Sequence, residues 1–267
     1  MIPAATRYAR ASDLDHALEL LGEPEAKVIA GGQSLIPVMK LRVARPSLVV
    51  DISQLDLRGV RREGDVLHVG PLTTWAEVAA TEAFERPALA AIRECALGIG
   101  DLQVRNRGTI GGSLVHADPA SDMPAVLLAL RAQLRLRARD AEREVAVTDF
   151  LRGPFLTDLG EQELVADIAI PLPPKGSGSA YVSVEHPASG FALAGAAALV
   201  RPDGETVALT GVGATPFVLM AGDVRDAITS AEIFGDRFAS EEYRRELAAV
   251  VAIRALDVAR ERAKEDS

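Results

Sequence analysis

Two short stretches carry residue types and spacings that suit chemistry: Ala30-Gly31-Gly32-Gln33-Ser34 and Thr109-Ile110-Gly111-Gly112-Ser113. They share a layout of a small or β-branched approach, a glycine pair, and a hydroxyl within two residues. Glycine tolerates positive φ and lets a ligand touch the backbone. Successive amides in such a turn form a concave set of N–H donors that suits an anion. A helix beginning just after the turn adds positive potential. Ser34, Thr109 and Ser113 each offer a further donor. One such site would hold a single phosphate, and two converging sites a pyrophosphate. Either stretch alone also reads as an ordinary tight turn. Neither fits the phosphate-loop pattern, because no Gly-Lys-Ser/Thr follows, and neither fits Gly-x-Gly-x-x-Gly. The glycines at Gly211 and Gly213 precede Ala214-Thr215-Pro216 and read as a strand end.

Four other groups invite a chemical reading. Asp122 precedes an apolar run and reads as a helix N-cap or as a carboxylate that accepts a ribose hydroxyl. His116 lies between the second glycine stretch and Asp122 and reads as a hydrogen-bonded loop residue, with no second histidine near it to make a metal pair. Cys95 is the one cysteine of the chain. That count excludes an internal disulfide, a zinc site with several cysteines, and an iron–sulfur cluster, which needs about four thiolates. In its apolar run Cys95 reads as an inert core thiol. Arg135, Arg137 and Arg139 alternate and read as the outer face of a strand.

The elements that must position these groups follow from the pattern. Ser12 is read as the cap of a helix carrying Leu14, Ala17, Leu18 and Leu21, with Gly22 as its stop. A short strand over residues 28–30 leads into the first glycine pair. A helix over 35–42 follows, with Pro37 tolerated in its first turn if Ser34 is the cap. Residues 48–52 form a buried strand, closing a β-α-β unit. A strand over 66–69 and a helix capped by Thr73 or Thr74 come next, then a helix near 88–97. Residues 123–130 form a helix with Asp122 at its cap. Residues 133–139 alternate as a half-solvated strand, and 143–147 and 163–172 extend the sheet. The run Pro171-Leu172-Pro173-Pro174-Lys175-Gly176-Ser177-Gly178-Ser179 reads as a domain linker or long loop. Beyond it lie three antiparallel strands, with a turn at Pro202-Asp203-Gly204, and a long helix that opens after Ser240.

The chain has 267 residues, 48% hydrophobic and 25% charged, with a net charge of −9. That length supports one large domain or two modest ones. The charge balance is the reverse of a nucleic-acid binder's. No stretch approaches the about 18 apolar residues of a membrane span, and the N-terminus lacks a charged-then-apolar signal layout. A cytoplasmic location is expected.

The segments Ala30–Arg42, Gly100–Leu130 and Glu163–Pro173 together resemble the medium, FAD-binding subunit of the molybdenum hydroxylases, the carbon monoxide dehydrogenase and xanthine dehydrogenase type enzymes. The resemblance runs nearly end to end. It implies an α+β chain: an FAD-binding domain of the vanillyl-alcohol oxidase type over 1–174, in two subdomains of about 1–53 and 54–174, and a C-terminal domain over 175–267 in which an antiparallel sheet packs with helices. It implies that Ala30, Gly31, Gly32, Gln33, Ser34 and Leu35, with Thr109, Ile110, Gly111, Gly112 and Ser113, hold the FAD pyrophosphate, and that Asp122 contacts the adenosine half. It implies no catalytic side chain and no metal ligand in this chain. The partners implied are a small subunit with [2Fe–2S] clusters and a large molybdopterin-binding subunit, assembled as a dimer of heterotrimers. Electrons would pass from molybdenum through the clusters to FAD and on to an external acceptor. The lone cysteine agrees with clusters carried on another chain.

The sequence departs from the family pattern at one place. The family commonly has Tyr-x-Lys where this chain has Tyr181-Val182-Ser183. A missing cation near the flavin would disfavour its anionic reduced form and alter its potential. Phe191 falls where the family can place an aromatic near the ring, and reads equally as a strand core residue. The rival readings are a stand-alone flavin oxidase and a nucleotide-binding scaffold without flavin.

Overall fold

The computed structural model describes residues 2–220 and 222–266. The N-terminal part is a small parallel sheet. β1 (Arg7–Arg10), β2 (Ala26–Ile29) and β3 (Leu48–Asp51) run in the order β1-β3-β2, with β3 buried along its whole length. Helix α1 (Leu14–Leu20) joins β1 to β2, and α2 (Leu35–Lys40) joins β2 to β3. The cap of α1 is Asp13, not Ser12. The Asp13 carboxylate accepts from the His16 N–H at 2.8 Å, and the Ser12 hydroxyl donates to Asp13 instead. A carboxylate is the stronger acceptor for an orphan helix N–H. Helix α2 stops two residues short of the pattern because Arg42 turns to φ +58, the left-handed residue that commonly ends a helix. Pro37 sits in its first turn, where no N–H is needed.

The middle of the chain builds a five-stranded antiparallel sheet. β4 (Val60–Glu63), β5 (Val66–Val69), β6 (Gln133–Arg137), β7 (Glu142–Ala146) and, after the small hairpin β8 (Leu151–Gly153) and β9 (Leu156–Thr157), β10 (Leu164–Pro171) assemble in the order β4-β5-β10-β6-β7. The half-solvated face of β6 carries Arg135 and Arg137, paired with Glu142 at 3.6 Å. Helices α3 (Trp75–Ala80), α4 (Ala90–Gly98), α5 (Leu102–Arg105), α6 (Ile110–His116), α7 (Asp122–Ala129) and α8 (Val147–Phe150) come from this region. Thr74 caps α3 through a reciprocal box with Glu77. Helix α7 begins one residue earlier than the pattern predicts. Ser121 is the N-cap and Asp122 the first helical residue. Every residue from Met123 to Ala129 is buried, because α7 packs against the C-terminal sheet and against α4, α6 and α8, and shares one apolar core with the middle sheet. A helix apolar on all faces is what such a position demands.

The C-terminal part pairs β11 (Gly178–Glu185), β12 (Ala192–Arg201), β13 (Gly204–Thr210) and β14 (Phe217–Val218) in chain order, all antiparallel. Helix α9 (Val224–Ser230) precedes the long α10 (Glu241–Glu265), which opens on the Ser240 cap and lies across β11 and β12. Residues 172–177 form the loop that the composition predicts, but its Gly/Ser end is packed in place. Ser177 and Ser179 are fully buried, and the Ser179 hydroxyl accepts from the Ala91 N–H at 3.1 Å. A Cβ on Gly178 would fall 2.2 Å from the Ala259 carbonyl oxygen. Small residues stand here because a strand and a helix backbone approach closely, a cause that composition does not distinguish from flexibility. Accordingly, Gly178→Ala should cost at least about 1–3 kcal/mol through overpacking, read as a lower urea midpoint with an unchanged slope.

Candidate functional site

The two glycine stretches meet. A Cβ on Gly31 would lie 1.8 Å from the Arg107 carbonyl oxygen, so the first turn sits backbone to backbone on the segment that leads into the second. Gly32 adopts φ +78, which a side chain resists. Gly111 backs onto Pro71, where a Cβ would come within 2.5 Å of the Pro71 Cβ.

The donors are divided unequally between the two stretches. Among the described residues, the backbone N–H groups of Gly31 through Leu35 find no acceptor. Ser34 precedes α2, yet its hydroxyl caps nothing. The second stretch uses its amides internally. The Ile110 N–H donates to the Thr73 carbonyl at 3.0 Å, Gly111 to the Pro71 carbonyl at 2.9 Å, and Ser113 to the Thr109 carbonyl at 3.1 Å. The Gly112 N–H donates to the Thr109 hydroxyl, which caps α6 at 3.2 Å. The sequence reads Gly111 and Gly112 as a turn ahead of a helix, but they form the first turn of the helix itself. What this stretch turns toward a ligand is side-chain hydroxyl, from Thr109 and from Ser113, whose Oγ lies 2.6 Å from the Ser121 Oγ.

Both stretches line one cleft of about 720 Å³, within the range of cofactor sites. Ala30, Gly31, Gly32, Gln33, Ser34, Leu35, Thr109, Gly111, Gly112, Ser113 and Asp122 all reach it. Ile110 does not: its side chain is fully buried in the core, as the first residue of a helix whose apolar side faces inward. The structure adds walls of which the sequence reading named only Phe191, through the family resemblance. Trp75, the β8–β9 hairpin tip and the loop Ser189–Phe191 all border the cleft. They come from separate elements, with no shared local pattern to mark them. Phe191 is 48% exposed and stands on the cleft wall, outside the core.

Asp122 does not cap a helix. Its carboxylate accepts a hydrogen bond from the Tyr181 hydroxyl, and burial raises its pKa from 3.8 to about 6, with Tyr181 opposing that rise. Tyr181 itself is pushed up, by burial first and by the Asp122 charge second. Gly195, across the strand pair from Ser183, leaves the space for the Tyr181 hydroxyl, since a Cβ there would sit 2.4 Å from it. Tyr181 and Ser183 are not among the residues that line the cleft. The loop before Asp122 is held to the C-terminal sheet, where the Thr210 hydroxyl donates to the Ser121 carbonyl at 2.7 Å and the Gly211 N–H donates to the Pro119 carbonyl at 3.0 Å. His116 ends α6 with its ring 5.2 Å from the Phe155 ring. Cys95 is buried, and burial pushes its thiol pKa well above the ordinary range. No helix among the described residues is long and apolar enough to cross a membrane.

Residues 4–173 match the protein family described as the FAD binding domain in molybdopterin dehydrogenase. The chain belongs to this family. It is similar to the carbon monoxide dehydrogenase medium chain of Afipia carboxidovorans, 35% identical over 99% of this chain and 100% of that one. It is also similar to the glyceraldehyde dehydrogenase medium chain of Sulfolobus acidocaldarius, 38% identical over 82% of this chain and 80% of that one. Among solved structures, a carbon monoxide dehydrogenase chain from Hydrogenophaga pseudoflava superposes with a TM-score of 0.91 at 33% identity, covering 98% of this chain and 99% of that one. The quinoline 2-oxidoreductase of Pseudomonas putida 86 gives 0.90 at 26% identity over 98% of this chain and 99% of that one.

As a member of the FAD-binding family, the chain has a donor set that fits the group. Free consecutive amides at Gly31–Leu35, with hydroxyls from Ser34, Thr109 and Ser113 in the same cleft, match the phosphate oxygens of a dinucleotide. The Asp122 pKa has a thermodynamic consequence in the chain without FAD. A carboxyl raised from 3.8 to about 6 on folding disfavours the fold above that upper value, and the penalty is released as pH falls through it. Lowering the pH from 7.5 to 5 should therefore remove roughly half of a total penalty of about 3 kcal/mol, or about 1.4 kcal/mol, the rest being released only as pH falls on to the unfolded value of 3.8. Asp122→Asn, which can still accept from Tyr181, should lack that gain and be the more stable protein at pH 7.5. Chemical denaturation at both pH values checks this.

Proposed function

We propose that the chain is the FAD-carrying medium subunit of a heterotrimeric, cytoplasmic molybdenum hydroxylase. Residues 1–174 would form the FAD-binding domain, of the vanillyl-alcohol oxidase type with subdomains of about 1–53 and 54–174, and residues 175–267 the C-terminal domain. The observation that carries the reading is the row of unpaired amides from Gly31 to Leu35, set in one cleft with the Thr109 and Ser113 hydroxyls. Ala30 through Leu35 on one side and Thr109, Gly111, Gly112 and Ser113 on the other would hold the pyrophosphate, with Ile110 anchoring the second stretch in the core. Asp122 would accept from the adenosine half. When bound, FAD would supply the redox chemistry by taking electrons from the partner and passing them to an external acceptor.

The protein's own part is to bind, orient and enclose. The amides would stabilise phosphate charge through their N–H dipoles, and Gly32 at φ +78 gives the turn a backbone conformation that other residues resist. The single cysteine leaves iron–sulfur clusters to another chain, which supports a separate small [2Fe–2S] partner subunit; a large molybdopterin-binding subunit and a dimer of such trimers would complete the assembly. Medium-chain naming among the relatives points the same way. Ser183 in place of the family's lysine would leave the flavin without that cation, and it stands beside Tyr181 on β11.

The purified chain should show flavin absorbance and release FAD on heating, and partner chains should co-purify from the native host. A chain that stays colourless in excess FAD would sink the reading. Substrate-specific flavin reduction by the isolated chain would instead favour the stand-alone oxidase. Ser34→Ala should weaken FAD about tenfold by removing a hydrogen bond to a charged group, with the thermal midpoint of the FAD-free chain unchanged, as measured by titration calorimetry and thermal unfolding.

A further inference from the structure

One wall of the cleft is built against local preference. At the tip of the β8–β9 hairpin the chain runs Gly153-Pro154-Phe155-Leu156, and Phe155 adopts φ +57. After a proline in a tight turn, that conformation is the place of glycine or asparagine. A bulky residue there is a genuine outlier. The Phe155 N–H donates to the Ala117 carbonyl at 2.8 Å, and Ala117 is itself at φ +50. Two strained residues from different elements are thus tied by one hydrogen bond on the cleft wall.

The strain does not serve the core. Phe155 is 60% exposed and Leu156 59% exposed, and both line the cleft. The His116 ring meets Phe155 at 57°, so it braces the phenyl ring without stacking flat on it. The hairpin is held at its base, where Arg143 and Arg152 both bond Asp158, at 2.7 and 2.8 Å. A glycine at 155 would make the same turn without strain. What the phenylalanine adds is a rigid, open aromatic face on a dinucleotide-sized cleft. Strain kept at a ligand wall is a pointer to function.

We propose that Phe155, braced by His116, is the stacking shelf for a flat heteroaromatic ring of the bound dinucleotide. This rests on the FAD reading above. Apo wild type, Phe155→Leu and Phe155→Gly are each titrated with FAD, ADP and FMN by calorimetry, and their thermal midpoints are recorded without ligand. Stacking on an aromatic side chain predicts FAD binding at least roughly tenfold weaker in both variants, with the midpoint of Phe155→Gly not lowered, because the turn is relaxed. A parallel loss for ADP with FMN unaffected assigns the shelf to adenine. A parallel loss for FMN, with altered flavin fluorescence, assigns it to the flavin ring. FAD affinity within twofold of wild type in both variants overturns the shelf, as does a loss for FAD that neither fragment shares. A wild-type chain that takes up no FAD overturns the proposed function itself, so the two failures are told apart.

Discussion

Everything at the cleft depends on one close approach, the Gly31 backbone against the Arg107 carbonyl. The first glycine turn belongs to the parallel sheet, while Arg107 belongs to the segment feeding α6. A side chain at 31 would have to occupy the space of that carbonyl, so the two loops would be pushed apart and the donor set would split. The glycines therefore act first on the protein. They bring two loops into contact, and the anion site is a consequence of that contact.

Once the loops are joined, their hydrogen bonds take different courses. The second loop completes a helix cap and a bridge to Thr73 and Pro71, so its amides are satisfied and its geometry is fixed. Among the described residues the first loop has no strand or helix partner for its N–H groups, and a bound anion is what would satisfy them. Rigidity comes from one stretch and unsatisfied donors from the other. Together they give a preorganised site, which neither would give alone.

Behind the cleft, the buried helix α7 couples the middle and C-terminal sheets, and Asp122 at its start is fixed by Tyr181 from β11. The Ala-rich β12 and α10 allow the C-terminal sheet to pack closely, with Arg262 of α10 bonded to Glu94 of α4 and the Tyr181 N–H donating to the same carboxylate at 2.9 Å. The wall that carries Asp122 is thus supported from three elements, and a carboxylate with a pKa of about 6 is the electrostatic cost of holding it in a dry setting.

Much of this was legible in the residues. Hydrophobic period located the helices and most strands, because burial of one face follows directly from residue order. The paired Gly-Gly-hydroxyl stretches marked the site, since few other residues permit backbone approach. Three readings needed the fold. Ser12 and Asp122 lost their capping roles to neighbours, because a cap is chosen by the direction of the incoming chain as well as by residue type. Residues 172–177 form the expected loop, but Gly178 and Ser179 at the end of the run became buried strand, because small residues serve close packing and flexibility alike. Phe155 and Trp75 came to the cleft from distant elements, and a contact between distant segments has no local signature. Sequence determined the elements and the residue types able to bind an anion. Tertiary structure decided which amides stay free, because that is settled only when every other backbone group has found its partner.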